Sequence, residues 1–178
     1  MKHNLNAIDT LLCNNGTAEA LNFIRRLDRS LENTALKIYC ENYFINVILS
    51  SYIKKAEDEH IEVRCEVAVP EKINIDPVEI GLIFANAIEN AINACKKIED
   101  ADTRKLWVLC REQQGHLLIR ISNPYAGEVK FDGEYPVAES PEHGAGTKSI
   151  ATIVQKNGGI FSFTARNGIF DMTVSLNY

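Results

Sequence analysis

Asp76-Pro77-Val78-Glu79 begins, and NAIENAINA at Asn86–Ala94 fills, a segment that reads as one long helix. An acid at the cap, proline at the first helical position and glutamate three residues after the cap together make a start signal. The helix is predicted to run to about Glu99. At about 100° per residue, Glu79, Asn86, Glu89, Asn90, Asn93 and Lys97 fall within about 100° of one another. Ile80, Phe84, Ala87, Ile88, Ala91 and Cys95 take the opposite side. A helix of this kind buries one face against a sheet and keeps a narrow, amide-rich face for something else.

The sequence around it supplies the sheet. Ile61 to Val69 alternates, with Ile61, Val63, Cys65, Val67 and Val69 on one side, and predicts a half-buried strand ended by Pro70. After the helix come two predicted hairpins, Leu106–Arg111 with His116–Ser122 around Gln113-Gln114-Gly115, and Ile160–Ala165 with Ile169–Leu176 around Asn167-Gly168. Between them lie about twenty-five residues rich in Pro, Gly and acids, a length that points to a lid or binding loop. A second helix is predicted from about Gly146 to Asn157, closed by Gly158-Gly159. The order βαββαββ, with both helices on one face, makes an α+β fold of the α/β-sandwich type. Upstream, Leu5, Ile8, Leu11 and Leu12, then Ala20, Phe23, Ile24, Leu27 and Leu31, recur at helical spacing across the turn Asn14-Asn15-Gly16-Thr17, a helical hairpin. A further helix is expected over residues 42–59, with Phe44, Val47, Ile48, Tyr52 and Ile53 as its apolar face. The chain therefore divides into a helical segment, residues 1–59, and a sandwich domain, residues 60–178.

Composition narrows the function. Hydrophobic residues make up 46% and charged residues 24% of 178, values that build a packed core of about one domain. The net charge is −5 and the basic residues are scattered, so no nucleic-acid footprint is visible. No apolar run approaches the roughly 20 residues of a membrane span, and the first residues do not lead into a signal peptide, so the chain reads as cytosolic. The five cysteines are widely spaced and form no cluster with the four histidines, which points to neither disulfides nor zinc.

Two segments carry chemistry. In the first, asparagine costs roughly half a kcal/mol relative to alanine in a helix, and a merely wet face is more cheaply made of Lys, Glu and Gln. Three asparagines on one line therefore point to a binding role, and amide oxygens can complete the shell of a Mg²⁺ ion that also holds phosphate oxygens. The second is HGAGTKSI, His143–Ile150, where glycines flanking a small residue let backbone N–H groups approach phosphate and the following helix adds its positive dipole end. A P-loop does not fit, because Gly146-Thr147-Lys148-Ser149 has an extra residue between Gly and Lys and no apolar strand before it. Solvated-face and ordinary-loop readings of both segments stay open on spacing alone.

In this order the segments resemble the Bergerat ATP-binding fold shared by histidine kinases, gyrase, Hsp90 and the mismatch-repair ATPases. NAIENAINA is similar to the asparagine box, and HGAGTKS to the second glycine box. ISNPYAG at Ile121–Gly127 sits where the first glycine box belongs, with Asn123 in place of the acid that accepts from the adenine amine. Thr147 stands where leucine is usual. The whole chain resembles sensor kinases of the quorum-sensing and natural-competence type, in which a phosphoacceptor His-Asp pair opens a dimerisation helix. Met1-Lys2-His3-Asn4-Leu5 is similar to the part just downstream, so the acceptor is expected before Met1 and residues 1–59 as the remnant of a dimerisation hairpin.

The resemblance implies a protein-histidine kinase that takes ATP and Mg²⁺ as cofactors. Asn90 and Asn86 would hold the metal, and Glu89 with Asn86 would serve catalysis by orienting waters or accepting a proton. Asn86, Asn90, Asn93, Asn123, His143, Gly144, Ala145, Gly146, Thr147 and Lys148 would contact the nucleotide, under a lid formed by Tyr125 to Glu142. The implied partners are a response regulator and, in the full-length protein, a second copy of the chain, with a membrane reached only through a sensor region before Met1. Two rivals share the nucleotide site: a serine kinase or partner switch of the anti-sigma-factor kind, and a degenerate nucleotide-binding dimer scaffold.

Overall fold

The computed structural model describes residues 37–137 and 145–177. The hairpin predicted before residue 35, together with His3, His143 and Gly144, lies outside the described residues. From Ile38 onward the chain forms one compact unit. Its elements are α1 (Tyr43–Asp58), β1 (Glu62–Val67), α2 (Pro77–Cys95), a short 3-10 turn (Ala101–Thr103), β2 (Lys105–Gln113), β3 (His116–Pro124), β4 (Phe131–Asp132), β5 (Tyr135–Pro136), α3 (Ala145–Lys156), β6 (Ile160–Arg166) and β7 (Ile169–Asn177).

The main sheet has the order β1-β2-β3-β7-β6. β1 runs parallel to β2 and every other pairing is antiparallel. A parallel neighbour needs a crossover, and α2 provides it. The register places Val67, Cys110, Ile119, Val174 and Phe161 along one line across the five strands. That face is apolar and carries the helices, while the opposite face holds Arg64, Trp107, Arg120, Asp171 and Thr164. The architecture is the expected α+β sandwich with helices on one face, but three helices cover the sheet rather than two.

The added helix is α1. The Asn42 side chain caps it by accepting from the Ile45 N–H at 3.1 Å, and Ile45, Leu49, Ile53 and Ala56 are buried against the rest of the core. Each such aliphatic side chain contributes roughly 2–3 kcal/mol of burial. This helix, assigned from the sequence to the segment before residue 60, thus packs into the same core as α2. The chain leaves α1 through His60, whose φ of 59° places it in the left-handed turn that often ends helices.

α2 starts at the expected cap, where Asp76 accepts from the Val78 N–H at 2.9 Å. Glu79 does not close a capping box, because its carboxylate is taken by Lys156 and by Asn157 Nδ2 (2.8 Å) at the end of α3. The helix stops at Cys95, short of Glu99. There the Arg104 guanidinium donates to the Ile98 carbonyl at 2.7 Å and Asp100 caps the 3-10 turn, so local side chains satisfy the backbone beyond the helix end. Both main hairpins form with two-residue turns: Gln114 and Gly115 have φ of 53° and 78°, and Asn167 and Gly168 of 53° and 75°. These positive values suit the tight type I′ turn. Among the described residues no helix is long and apolar enough to cross a membrane, and Cys40, Cys95 and Cys110 carry free thiols.

Candidate functional site

The amide-rich side of α2 is not a single surface, because neighbouring elements divide it. At its start Glu79 is clamped to the end of α3. At its middle, Asn86 lies within 3.5 Å of Ser149 Oγ. Beside it is Gly146, in the first turn of α3: a Cβ there would sit 3.3 Å from Asn90 Nδ2, 3.5 Å from Asn90 Oδ1 and 3.6 Å from Asn86 Oδ1. Two amides from α2 and the backbone at the head of α3 therefore meet at one point, with only the space that an absent side chain leaves. α3 is twelve residues long, and its unsatisfied N–H groups and dipole make that point favourable for an anion.

Next to this junction is a cavity of about 500 Å³. Ala87, Ala91 and Ala94 give it a flat wall on α2, and Ile121, Phe163, Phe170 and Met172 of the sheet give it an apolar floor. Asn90, Asn93, Lys97, Asn123 and Thr147 supply the polar positions along its lining. Asn123 is only 2% exposed, and its Nδ2 donates to the Pro124 carbonyl at 2.8 Å. It belongs to β3, paired with Phe170 of β7, rather than to a turn.

The segment expected to be a structureless lid from Tyr125 to Glu142 is partly built. β4 and β5 pair as a small hairpin, the Val137 N–H donates to the Lys130 carbonyl at 2.8 Å, and the Tyr135 ring lies 5.7 Å from that of Phe161 on β6. An aromatic anchor and a turn stabilise what composition alone presents as a loop. Tyr125, Ala126, Glu128, Val129, Pro136 and Val137 line the cavity, and residues 138–142 lie outside the described residues.

Of the residues assigned from sequence, Asn86, Asn90, Asn93, Asn123, Gly146 and Thr147 gather at the cavity or the junction beside it. Glu89 does not. Its Oε1 accepts from Lys55 Nζ of α1 at 2.7 Å, and burial, followed by the Glu89 charge, pushes the Tyr52 hydroxyl of the same helix up to about 12. Lys148 is exposed and absent from the cavity wall; Ala145 opens α3. Sequence reading missed Ser149, although counting one turn into the helix after the glycines would have found it. It also left Lys97 out of the assigned site, although Lys97 sits on the predicted polar line and lines the cavity.

A metal site made by protein groups alone is not present among the described residues, which contain no group of three or more His, Cys, Asp or Glu side chains suited to a metal. The oxygen donors at the junction are neutral amides. They fit a magnesium ion that brings its own phosphate ligands, the usual arrangement for this cation.

Comparison with known proteins agrees with this layout. A family profile described as GHKL domain matches residues 75–177. No curated protein sequence matches the chain. Among solved structures, the nucleotide-free catalytic domain of histidine kinase ThkA superposes with a TM-score of 0.57 at 15% identity, covering 76% of this chain and 90% of that one. Acinetobacter baumannii histidine kinase AdeS gives 0.52 at 12% identity over 97% and 92% of the two chains. The Erythrobacter litoralis EL346 blue-light activated histidine kinase gives 0.56 at 15% identity over 77% and 41%. The profile spans more than half of the 178 residues, and the chain belongs to the GHKL domain family.

Proposed function

We propose that this chain is the ATP-binding catalytic part of a sensor histidine kinase, binding Mg²⁺-ATP in the cavity between α2, α3 and the end of β3 and directing the γ-phosphoryl group to a histidine. The observation that carries the reading is the meeting of Asn86 and Asn90 with Gly146 at the head of α3, beside an apolar cavity with one buried amide.

Bound Mg²⁺ would offset the charge that spreads over the phosphate oxygens during transfer. Asn90 and Asn86 would hold the ion through their side chains. The N–H groups around Gly146 and Thr147 take phosphate oxygens, with Lys148 at the helix surface adding positive charge. Asn93 and Lys97 line the side of the cavity on α2, and the Ala87-Ala91-Ala94 wall admits a flat ring. Glu89 pairs with Lys55 of α1 instead of facing the nucleotide. The phosphoryl group passes on to a response regulator, and the protein works as a cytoplasmic homodimer.

Calorimetric titration with Mg²⁺-ATP tests the core of this reading. Asn90→Ala is expected to lose about 100-fold in Mg²⁺-dependent affinity while melting as the parent does, because alanine raises helix propensity. Unchanged affinity would sink the metal assignment. Labelled ATP supplied with candidate acceptor proteins then separates kinase types, since acid-labile label is required for histidine and acid-stable label would favour a serine kinase.

A further inference from the structure

We propose that Asn167 is a site of spontaneous deamidation, and that its conversion to isoaspartate unpins the cavity wall that begins at Tyr125. The loss of binding that follows rests on the nucleotide-binding reading above; the modification itself does not. The chain contains three Asn-Gly pairs, at residues 15, 157 and 167, and the first lies outside the described residues. In such a pair the glycine nitrogen attacks the amide carbon of the preceding asparagine, because glycine puts no side chain in the way. The structure separates the other two pairs. At Asn157 the groups that the reaction needs are engaged: Nδ2 donates to Glu79 Oε2 at 2.8 Å and to the Ile153 carbonyl at 2.9 Å, and the Gly158 N–H donates to the Gln155 carbonyl at 3.0 Å. Ring closure there would break these bonds. Asn167 lies exposed at the tip of the β6-β7 hairpin. Among the described residues neither its amide nor the Gly168 N–H has such a partner. Nothing stands within 4 Å of the place a Cβ would occupy at Gly168, so the peptide between the two residues can swing toward the side chain. The β2-β3 hairpin has the same pair of positive φ values but carries Gln114 before Gly115, and the longer side chain would have to close a larger ring, which forms far more slowly.

The step needs no co-reactant but water. The Gly168 nitrogen bonds to Asn167 Cγ, the Cγ–Nδ2 bond breaks, and Nδ2 leaves as ammonia with the proton shed by the Gly168 N–H. Water then opens the cyclic imide. Opening at the main-chain carbonyl leaves isoaspartate, in which the main chain runs through Cβ and Cγ and is one carbon longer. A two-residue turn whose central residues are held at φ of 53° and 75° has no slack to absorb the extra atom. The Gly168 carbonyl that it displaces accepts from the Tyr125 N–H at 3.2 Å, a bond that extends the β3-β7 ladder beyond the Pro124–Ile169 pair. Tyr125 starts the stretch that lines the cavity with Ala126, Glu128 and Val129. That wall is therefore held at its first residue by the turn.

The test compares the 178-residue chain fresh and after incubation at mildly alkaline pH, by peptide mapping with mass spectrometry and by enzymatic methylation of isoaspartate. Asn167 is expected to convert well ahead of Asn157. In the aged chain the Tyr125 amide is expected to lose its protection from hydrogen exchange, and Mg²⁺-ATP to bind several-fold more weakly by calorimetry. Asn167→Gln repeats the Gln-Gly pair of the other hairpin and retains Asn15-Gly16, so it controls for ageing elsewhere; it is expected to keep both properties through the same incubation. An Asn167 amide that survives, or converts no faster than that of Asn157, would overturn the site. Isoaspartate at residue 167 with an unchanged Tyr125 amide would overturn its consequence. A fresh chain that binds no nucleotide would remove the reading of the cavity, while the mapping and the Tyr125 exchange would still decide this inference.

Discussion

Replacing Gly146 with alanine should separate stability from binding. A helix gains up to about 1 kcal/mol from alanine over glycine in its interior, and less in the first turn, so about 0.5 kcal/mol is available here. Against this, the new Cβ would stand 3.3 Å from Asn90 Nδ2, with Asn90 Oδ1 at 3.5 Å and Asn86 Oδ1 at 3.6 Å. Only the first contact is tight, and it involves the far end of a side chain that can move a few tenths of an ångström. A rotation of that size costs about 0.5–1 kcal/mol. The two terms nearly cancel, and the melting temperature should change by no more than about 3 °C. Binding has no such offset. Magnesium holds its ligands at about 2.0–2.1 Å in near-octahedral geometry, so displaced amides and a methyl group at the phosphate approach should cost about 1–3 kcal/mol, or roughly 10- to 100-fold in affinity. Differential scanning calorimetry and titration with Mg²⁺-ATP, with and without chelator, measure the two halves. A fall of several degrees with unchanged affinity would show that Gly146 serves packing alone and that the junction is not the metal and phosphate site.

Two further outcomes follow from contacts away from that junction. The Glu79 carboxyl is lowered, by Asn157 first and then by Lys156, so its contribution to stability is present above the unfolded-state value near pH 4.3 and is lost as pH falls through the lower folded value. The melting-temperature gap between the parent and Glu79→Gln should hold steady from pH 7 to about 5 and close in stronger acid; a constant gap at all pH values would refute the clamp. The small β4-β5 hairpin should protect the Val137 amide from exchange in the nucleotide-free chain, and Tyr135→Ala, which removes the contact with Phe161, should abolish that protection and weaken nucleotide binding several-fold. A Val137 amide that exchanges as fast as that of Gly127 in the parent would show that the hairpin is not anchored.

Most of the architecture depends on local signals, and these could be read directly. The cap at Asp76, the proline after it, the alternation from Ile61 to Val69 and the Asn167-Gly168 turn each act within a few residues, where backbone sterics and one hydrogen bond decide the conformation. The NAIENAINA and HGAGTKS segments likewise carry the resemblance to the GHKL domain, the family whose profile matches residues 75–177. Local order also marked the ends of helix α3 to within a residue.

What a polar residue faces was a different matter. A period of 3.6 sets the direction of a side chain from its own helix axis and says nothing of which element lies in that direction. Glu79, Asn86, Glu89, Asn90, Asn93 and Lys97 share one predicted face, yet Glu79 meets Lys156, Asn86 meets Ser149, Glu89 meets Lys55, and Asn93 and Lys97 turn to the cavity. Each of these partners is supplied by a helix or strand far off in the chain, so only packing could assign them. The same holds for helix α1, whose buried side is Ile45, Leu49, Tyr52, Ile53 and Ala56, so that of the predicted face only Tyr52 and Ile53 are buried while Phe44 is exposed, and for Asn123. Its burial depends on β3 pairing with β7, a contact between segments some fifty residues apart.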